Sequence, residues 1–270
     1  SSPADSATSV SVSSTIAVTF SEAMDTTTIT TNTSNTTCSG SLQVSSDSFN
    51  TCVQMSASPS VSNSNKTFTL DPASNLSYNT TYNVKVTTDA KDSAGNALAS
   101  SYTHSTGFTT SGSPTAITAG SNHTCALLSD GTMKCWGNGQ YGQLGNGSTN
   151  SFNYSPVTVS NISTAISVAA ADEFHTCAVL SGGTVQCWGN GSSGQLGNGL
   201  SNSSSTPVSV SNISTATAVT GGGDHTCALL DNKSIQCWGR GTSGQLGNGS
   251  TSSSSTPVSV SNISTATAVT

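Results

Sequence analysis

The stretch HTCALLSDGTMKCWGNGQYGQLGNG, residues 123–147, decides the fold of the second half of this sequence, because it returns twice with few changes. The copies begin at His123, His175 and His225, so the separations are 52 (175 − 123) and 50 (225 − 175) residues. Each copy has the pattern of a short strand, a tight turn, a second strand that ends in Cys-Trp-Gly, and a glycine-rich loop. Repeats of about 50 residues are typical of propellers and solenoids, in which one unit cannot bury its own face.

The eight cysteines fall into four local pairs. A turn centred on Asp130 places Cys125 and Cys135 opposite each other in a hairpin, where Cβ atoms lie about 4.5–5.5 Å apart. Turns centred on Gly182 and Asn232 do the same in the other copies. The predicted disulfides are Cys38–Cys52, Cys125–Cys135, Cys177–Cys187 and Cys227–Cys237, and the apolar pairs expected beside them are Leu127 with Met133, Val179 with Val185, and Leu229 with Ile235. Disulfides imply an oxidising compartment, and free buried thiols are the alternative.

The motif Cys-Trp-Gly-x-Gly-x-x-Gly-Gln-Leu-Gly-Asn-Gly resembles the repeat of the regulator of chromosome condensation, and it occupies residues 135–147, 187–199 and 237–249. The resemblance implies a β-propeller of about seven four-stranded blades, in which glycine allows positive φ and close backbone approach near the axis. The eukaryotic namesake promotes nucleotide exchange on a small GTPase, whereas another relative is a secreted bacterial inhibitor of β-lactamase. We predict propeller-type repeats over residues 113–270, at about 117–165, 166–217 and 218–270.

Three repeats do not close a ring of that size. The sequence is then either an excerpt of a longer protein or a partial propeller whose open edge is completed by another copy, since exposed strand edges invite pairing. If such contacts between copies do not close into a ring, they produce a fibre.

Residues 1–112 contain no internal repeat and show the alternation of short strands separated by turn signals, which favours an antiparallel sandwich. The strands are predicted at residues 15–20, 41–44, 51–56, 66–70, 82–88 and 104–110. Cys38 and Cys52 would then join a hairpin whose turn lies near Ser45 to Ser48.

Three segments of this half, VSSTIAVTFSEAMD (12–25), LDPASNLSYNTTYNVKVTTDAKDSAGNAL (70–98) and GFTT (107–110), resemble the bacterial immunoglobulin-like domain first associated with S-layer proteins. That resemblance implies a spacer or adhesion module rather than a catalyst. Some relatives bind calcium, and the oxygen ligands would come from Glu22, Asp25, Asp89 and Asp92. The sequence shows no dense loop of oxygen ligands, which favours solvated turn residues, and we predict no metal site and no cofactor.

The sequence offers few candidates for catalysis. Three of its four histidines, His123, His175 and His225, occupy one repeat position, so each is expected to make the same contact within its own blade rather than converge on a metal. The glycine-rich loops lack the Lys-Ser/Thr of a phosphate-binding loop. The tryptophans Trp136, Trp188 and Trp238 are expected in the core beside the cystines, with a sugar platform as the alternative. We predict that the chain is not an enzyme.

The composition limits which partners and which location are compatible with this chain. The net charge is −6 with only six Lys and Arg, which leaves no basic stripe for a phosphate backbone and argues against nucleic acid. No run of about 18 apolar residues occurs, so no membrane insertion is predicted. Sequons for N-glycosylation abound, and the candidate acceptors are Asn35, Asn65, Asn79, Asn122, Asn146, Asn161, Asn212, Asn232, Asn248 and Asn262.

The sequence therefore favours an all-β protein with an N-terminal Ig-like sandwich and three propeller-type repeats. The leading functional hypothesis is a secreted or cell-surface structural or adhesive protein, bacterial and extracellular, in a filament or surface layer, with itself or a matrix component as partner. The alternative hypothesis is a propeller-based binding module that captures a protein or glycan.

Overall fold

The computed structural model describes residues 1–172 and 174–270. The chain divides into two units, Ser1–Ser113 and Pro114–Thr270. Within the described residues every regular element is a β-strand. The predicted fold class, an Ig-like sandwich followed by propeller-type repeats, is confirmed.

The first unit is a small antiparallel sandwich. Its strands are β1 Ile16–Thr19, β2 Leu42–Ser45, β3 Ser60–Ser62, β4 Thr67–Leu70, β5 Thr81–Val86, β6 Tyr102–Thr103 and β7 Phe108–Thr109. They form the sheets β1-β4-β3 and β2-β5-β6, with β7 paired to β5. Alternate residues of β4 and β5 point inward, and Phe68, Leu70 and Val84 lie in one fully buried cluster with Ile16 and Leu42. Each such side chain contributes about 1.5–3 kcal/mol when removed from water.

The predicted strand at residues 51–56 is wrong, and its expected hairpin with residues 41–44 does not form a ladder, although the N–H of Val53 donates to the carbonyl of Val44 at 2.8 Å. Strand β2 pairs with β5 instead, and the N–H of Cys52 donates to the carbonyl of Thr36 at 2.8 Å. The carboxylate of Asp47 accepts hydrogen bonds from the backbone N–H and hydroxyl of Thr51, which holds the intervening segment in a turn rather than a ladder. The disulfide Cys38–Cys52 consequently joins two irregular segments.

The strand predicted at residues 104–110 is reduced to the two residues of β7. The carboxylate of Asp5 accepts the backbone N–H groups of Ser105, Thr106 and Gly107 at 3.0, 3.1 and 2.7 Å. These donors are therefore used by a side chain, and they cannot join a strand ladder.

The second unit consists of three antiparallel four-stranded sheets, which we call blades 1, 2 and 3. Blade 1 contains β8 Pro114–Ala119, β9 His123–Leu128, β10 Met133–Asn138 and β11 Phe152–Thr158; blade 2 contains β12 Ala165–Ala170, β13 His175–Leu180, β14 Val185–Gly189 and β15 Ser204–Ser209; blade 3 contains β16 Ala216–Gly221, β17 His225–Leu230, β18 Ile235–Gly239 and β19 Ser254–Ser259. In each blade the strands follow one another in chain order, so every connection joins neighbours.

The second and third strands of each blade form the predicted hairpin. Cys125 is directly opposite Cys135, and the other two cysteine pairs have the same register. The predicted apolar pairs, Leu127 with Met133, Val179 with Val185, and Leu229 with Ile235, are confirmed. The cysteines of each hairpin are disulfide-bonded, with Cα atoms 4.1 Å apart.

The core of the second unit lies between blades. Strand β12 packs against β8 and β9, and β16 packs against β12 and β13, so the first strands of the blades lie next to one another. One buried cluster joins Leu144 and Val159 of blade 1 to Ala178 and Trp188 of blade 2. A blade therefore buries its face only against the next blade, as expected for this class of repeat.

Candidate functional site: the contact between consecutive blades

A buried cluster of polar groups joins blade 1 to blade 2. The Nε2 of His123 lies 2.8 Å from the hydroxyl of Thr176. That hydroxyl donates to the backbone carbonyl of Gln143 at 2.9 Å, and the indole N–H of Trp188 donates to the same carbonyl at 3.0 Å. All four residues are buried. We call this set of four residues the inter-blade latch.

The same latch joins blade 2 to blade 3. The Nε2 of His175 lies 2.8 Å from the hydroxyl of Thr226. The carbonyl of Gln195 accepts from that hydroxyl at 3.0 Å and from the indole N–H of Trp238 at 2.9 Å. Two blades that differ in surrounding sequence thus use one set of atoms, which makes the latch a property of the repeat.

The hydrogen-bond arrangement fixes the state of each histidine. The single hydroxyl proton of Thr176 is donated to Gln143, so the hydroxyl can only accept from His123, whose Nε2 must carry the proton. The Nδ1 atoms of His123 and His175 are buried and have no hydrogen-bond partner among the residues that the structure describes. The Gln143 carbonyl uses both of its lone pairs, and the latch is therefore complete with neutral histidines.

Burial keeps these histidines neutral. It lowers the pKa of His123 to about 4. It lowers the pKa of His175 to about 3, with smaller contributions in the same direction from His123 and His225. Burial also lowers the pKa of His225, and the neighbouring Asp224 opposes that shift. Among residues 1–172 and 174–270 no acidic side chain is paired with the imidazoles of His123 and His175, and burial therefore disfavours the charged form.

The expectation that each histidine bonds within its own blade is wrong. His123 and His175 bond to the next blade, because the imidazoles lie on the face that the next blade covers. The expectation that the tryptophans pack in the core holds for Trp188 and Trp238, which are fully buried. The sequence analysis did not predict the role of the glutamine in this contact, although a glutamine recurs in every Gly-Gln-Leu-Gly loop of this chain.

Glycines in the same loops bring the backbones of consecutive blades together. A Cβ placed on Gly142 would lie 2.5 Å from the Cα of Ser205, and one placed on Gly194 would lie 2.8 Å from the Cα of Ser255. Both glycines have positive φ, +82° and +81°. Sequence analysis expected this close approach near the propeller axis, but the contacted residues lie in β15 and β19, the fourth strands, away from the first strands that pack together.

Comparison with known families agrees with this geometry. The bacterial Ig-like domain family matches residues 1–110. One profile of the regulator of chromosome condensation (RCC1) repeat matches residues 130–179, 182–229 and 235–270, and a second matches 115–143, 166–195 and 216–245. Together the two profiles cover more than half of the chain. The chain belongs to the RCC1-repeat family. Its repeats follow a bacterial Ig-like domain.

Individual relatives share only the RCC1 repeats. The human E3 ubiquitin-protein ligase HERC2 is 36% identical over 94 residues, which are 34% of this chain and 2% of HERC2. The Ultraviolet-B receptor UVR8 of Arabidopsis thaliana is 32% identical over 97 residues, which are 35% of this chain and 22% of UVR8. The chain thus spans less than a quarter of either relative.

Solved structures show the same fold at lower identity. Yeast RCC1 (Prp20), from a crystal structure with bound Kap60, has a TM-score of 0.50 at 20% identity and covers 60% of this chain and 39% of its own. Human WBSCR16 has a TM-score of 0.50 at 23% identity and covers 56% of this chain and 38% of its own. These likenesses establish the propeller-type fold of the repeats.

The two outermost blade faces carry latch residues of opposite kind. We call the face with the threonine and tryptophan the leading face, and the face with the histidine and glutamine the trailing face. The leading face of blade 1 carries Thr124 and Trp136, and Trp136 is only half-buried, whereas Trp188 and Trp238 are fully buried. Within the described residues no other blade packs against this face or against the trailing face of blade 3.

The remaining predicted site residues lie apart from the latch. Asp25 and Asp92 accept hydrogen bonds from Thr27 and Asn96 in their own turns, and these bonds lower the pKa of both carboxyl groups. Over residues 1–172 and 174–270 no three His, Cys, Asp or Glu side chains form a group that could hold a metal ion.

In the same residues no helix is long and apolar enough to cross a bilayer.

The candidate glycan acceptors lie on turns and loops. Eight of the ten are exposed, and Asn146 and Asn248 are half-buried because their side chains cap the turns at Ser148 and Ser250. The exposed acceptors are Asn35, Asn65, Asn79, Asn122, Asn161, Asn212, Asn232 and Asn262. The structure gives the exposed side chains the access that a modifying enzyme needs.

Proposed function

We propose that this chain is a secreted or cell-surface structural or adhesive protein, in which an Ig-like spacer carries RCC1-type blades that act through their faces in surface assembly. Pairing of all eight cysteines carries the proposal, because four disulfides persist in an oxidising extracellular environment rather than in a reducing cytosol. The match of residues 1–110 to a bacterial Ig-like domain supports a bacterial surface setting.

The way in which the buried polar groups are used supports a non-catalytic role. His123, Thr176 and Trp188 bond to one another or to a carbonyl at the blade contact, and the second latch does the same. Groups committed in this way hold the array together and do not face a substrate. Glycans on the sequons, if attached, would add solubility where charged residues are only 7% of the chain.

The test combines location with cysteine state. Intact producing cells are treated with protease and, separately, with a thiol-reactive maleimide before and after denaturation and reduction. We expect cleavage on intact cells, no maleimide on the unreduced protein and eight labels after reduction; intact mass reports any glycan. A protein that is protected from protease and labels without reduction would contradict the proposal.

The alternative function, capture of a protein or glycan, has one specific observation in its favour. Phe152 and Tyr154 lie on the fourth strand of blade 1 with ring centroids 6.4 Å apart and ring planes 16° apart, and Tyr154 is 93% exposed. Blades 2 and 3 carry serine at the position of Tyr154, namely Ser205 and Ser255. An exposed aromatic pair of this kind is a typical centre of a binding surface.

A further inference from the structure

We propose that the loops at one end of the blades bind a saccharide chain of β-linked hexoses, with Tyr141 and Phe174 as the centre of the site where blade 1 meets blade 2. The inference deepens the proposed function, because it names the class of ligand that an adhesive array of blades would hold. It rests on that function only for the cell-surface setting in which a glycan is met.

The longest loops of all three blades lie at the same end of the strands. Successive strands of a blade are antiparallel, so the connections from the first to the second strand and from the third to the fourth strand share one end. The third-to-fourth connections, residues 139–151, 190–203 and 240–253, are the longest of the second unit. We call this end the loop face. Further blades would extend the loop face and would not cover it, and such a face is often the binding surface of a repeat protein.

An aromatic pair lies on the loop face at the contact between blades 1 and 2. The ring centroids of Tyr141 and Phe174 are 4.5 Å apart, and the ring planes are inclined by 39°. Tyr141 is 36% exposed and Phe174 is half-buried, so part of the ring surface is open to solvent. The face of an aromatic ring is electron-rich, and it attracts the C–H groups on the flat side of a sugar ring.

The aromatic pair departs from the repeat pattern. Blades 2 and 3 carry Ser193 and Ser243 at the position of Tyr141, and blade 3 carries Asp224 at the position of Phe174. Blades 2 and 3 pack together with the serine and the aspartate in these places, so the contact between blades does not need the rings. Two departures that meet at one contact are best explained by a ligand that uses both.

The loop holds Tyr141 in a fixed position. The buried Gln143 accepts the backbone N–H of Tyr141 on its side-chain oxygen at 3.0 Å. Gln195 accepts the N–H of Ser193 in the same way at 2.8 Å, so the loop has this bond with either residue. A tyrosine on a loop that is already ordered binds a ligand with a smaller entropy cost.

Planar polar groups lie on the loop face at the next contact, between blades 2 and 3. The guanidinium Nη1 of Arg240 is 3.3 Å from the carboxylate of Asp224, and the side-chain amide of Gln195 donates to the same carboxylate at 3.4 Å. The side chain of Arg240 is 53% exposed. Adjacent hydroxyls of a sugar donate to a carboxylate and accept from a guanidinium, which this pair offers side by side.

A saccharide chain fits the loop face better than a protein does. A stable protein interface buries about 800 Å² on each partner around a largely apolar core. The loops that form this face consist mainly of Ser, Thr, Asn and Gly, with one aromatic pair and one ion pair. Hexoses whose hydroxyls are equatorial have flat C–H faces for the rings and hydroxyl edges for the polar groups. A chain of them can use both contacts at once.

The test is isothermal titration calorimetry of the full chain with cellohexaose and with chitohexaose. Tyr141→Ser and Arg240→Asn introduce the residues that blade 2 carries at these positions, Ser193 and Asn190, so both variants should fold. Tyr78→Ser, at an exposed site of the Ig-like unit, is the matched control. Urea unfolding confirms that each variant keeps its stability.

We expect the unaltered chain and the Tyr78→Ser control to bind at least one of the two hexasaccharides with the same affinity. Tyr141→Ser removes the stacking ring, and Arg240→Asn removes the guanidinium. Each should lower the association constant by about tenfold.

A chain that binds neither hexasaccharide, or whose binding is unchanged in either variant, would overturn the inference. Binding that is lost in Tyr154→Ser and retained in Tyr141→Ser would overturn it in favour of the aromatic pair on β11. The result is separate from the location test: a surface protein that binds neither sugar would overturn only the saccharide site, and an intracellular protein that binds one would overturn only the surface role.

Discussion

At the scale of single residues, the latch explains why buried histidine and threonine are kept in a core that is otherwise apolar. Thr176 accepts from His123 and donates to Gln143, so it satisfies a buried imidazole N–H and the second lone pair of a carbonyl that Trp188 also uses. An unsatisfied buried donor costs about 1–3 kcal/mol. We therefore expect removal of the threonine hydroxyl to destabilise the contact between the two blades.

We expect Thr176→Val to lower the free energy of unfolding of the second unit by about 1–3 kcal/mol, because valine keeps the shape of threonine and removes both hydrogen bonds. Thr124→Val is the matched control at the same position of blade 1, and we expect a change within about 0.5 kcal/mol. Both are measured by urea unfolding at a concentration where the chain is monomeric. Tryptophan fluorescence reports on the second unit alone, since Trp136, Trp188 and Trp238 all lie there. Equal losses in the two variants would contradict the latch.

At the scale of the element, the glycine-rich loop acts as the spacer between blades. Gly194 and Gly244 have nearly the same backbone conformation, φ +81° and +74°, but only Gly194 has a blade against it. The pair therefore separates the cost of strain from the cost of a clash with the next blade.

We expect Gly194→Asn to lower the free energy of unfolding of the second unit by about 1–3 kcal/mol more than Gly244→Asn does, because its side chain would be built into the fourth strand of blade 3. Any backbone cost is common to both variants. The measurement is again urea unfolding of the monomeric chain. If the two variants lose the same stability, the loop is not in the close contact described.

The sequence predicted the elements that depend on local pattern. The hairpin register around Asp130 followed from turn position and cysteine spacing, and it agrees with the structure. The strand expected at residues 51–56 does not form, because the Asp47 carboxylate accepts the backbone N–H and hydroxyl of Thr51 and holds this segment in a turn. The predicted histidine contacts were wrong because a repeated sequence shows which residues recur, but it does not show which blade supplies the hydrogen-bond partner.

At the scale of the whole molecule, the two units should respond to acid over different ranges of pH. In the folded second unit His123 and His175 have pKa values of about 4 and about 3, against 6.5 when exposed. In the first unit, hydrogen bonds from Thr51 lower the pKa of Asp47 from 3.8 to about 2, and bonds from Ser105 lower the pKa of Asp5. Burial lowers the pKa of one histidine there, His104.

The sign of the effect is the same in both units. Between pH 6.5 and about 4 the unfolded chain binds protons on histidines that stay neutral when folded, so the free energy of unfolding of the second unit falls as the pH falls. Two such histidines give a slope of about 2–3 kcal/mol per pH unit. The aspartates of the first unit stabilise it above pH 3.8, and that contribution is lost as the pH falls toward about 2.

We therefore expect the blades to open before the Ig-like unit as the solution is acidified. Hydrogen exchange, followed peptide by peptide, should show protection lost first in the second unit between pH 6.5 and 4. His175→Gln keeps a donor for Thr226 and removes the titrating group, so it should reduce the slope by up to about 1.4 kcal/mol per pH unit. An unchanged slope, or earlier loss of protection in the first unit, would show that the blade histidines do not control the acid stability of the molecule.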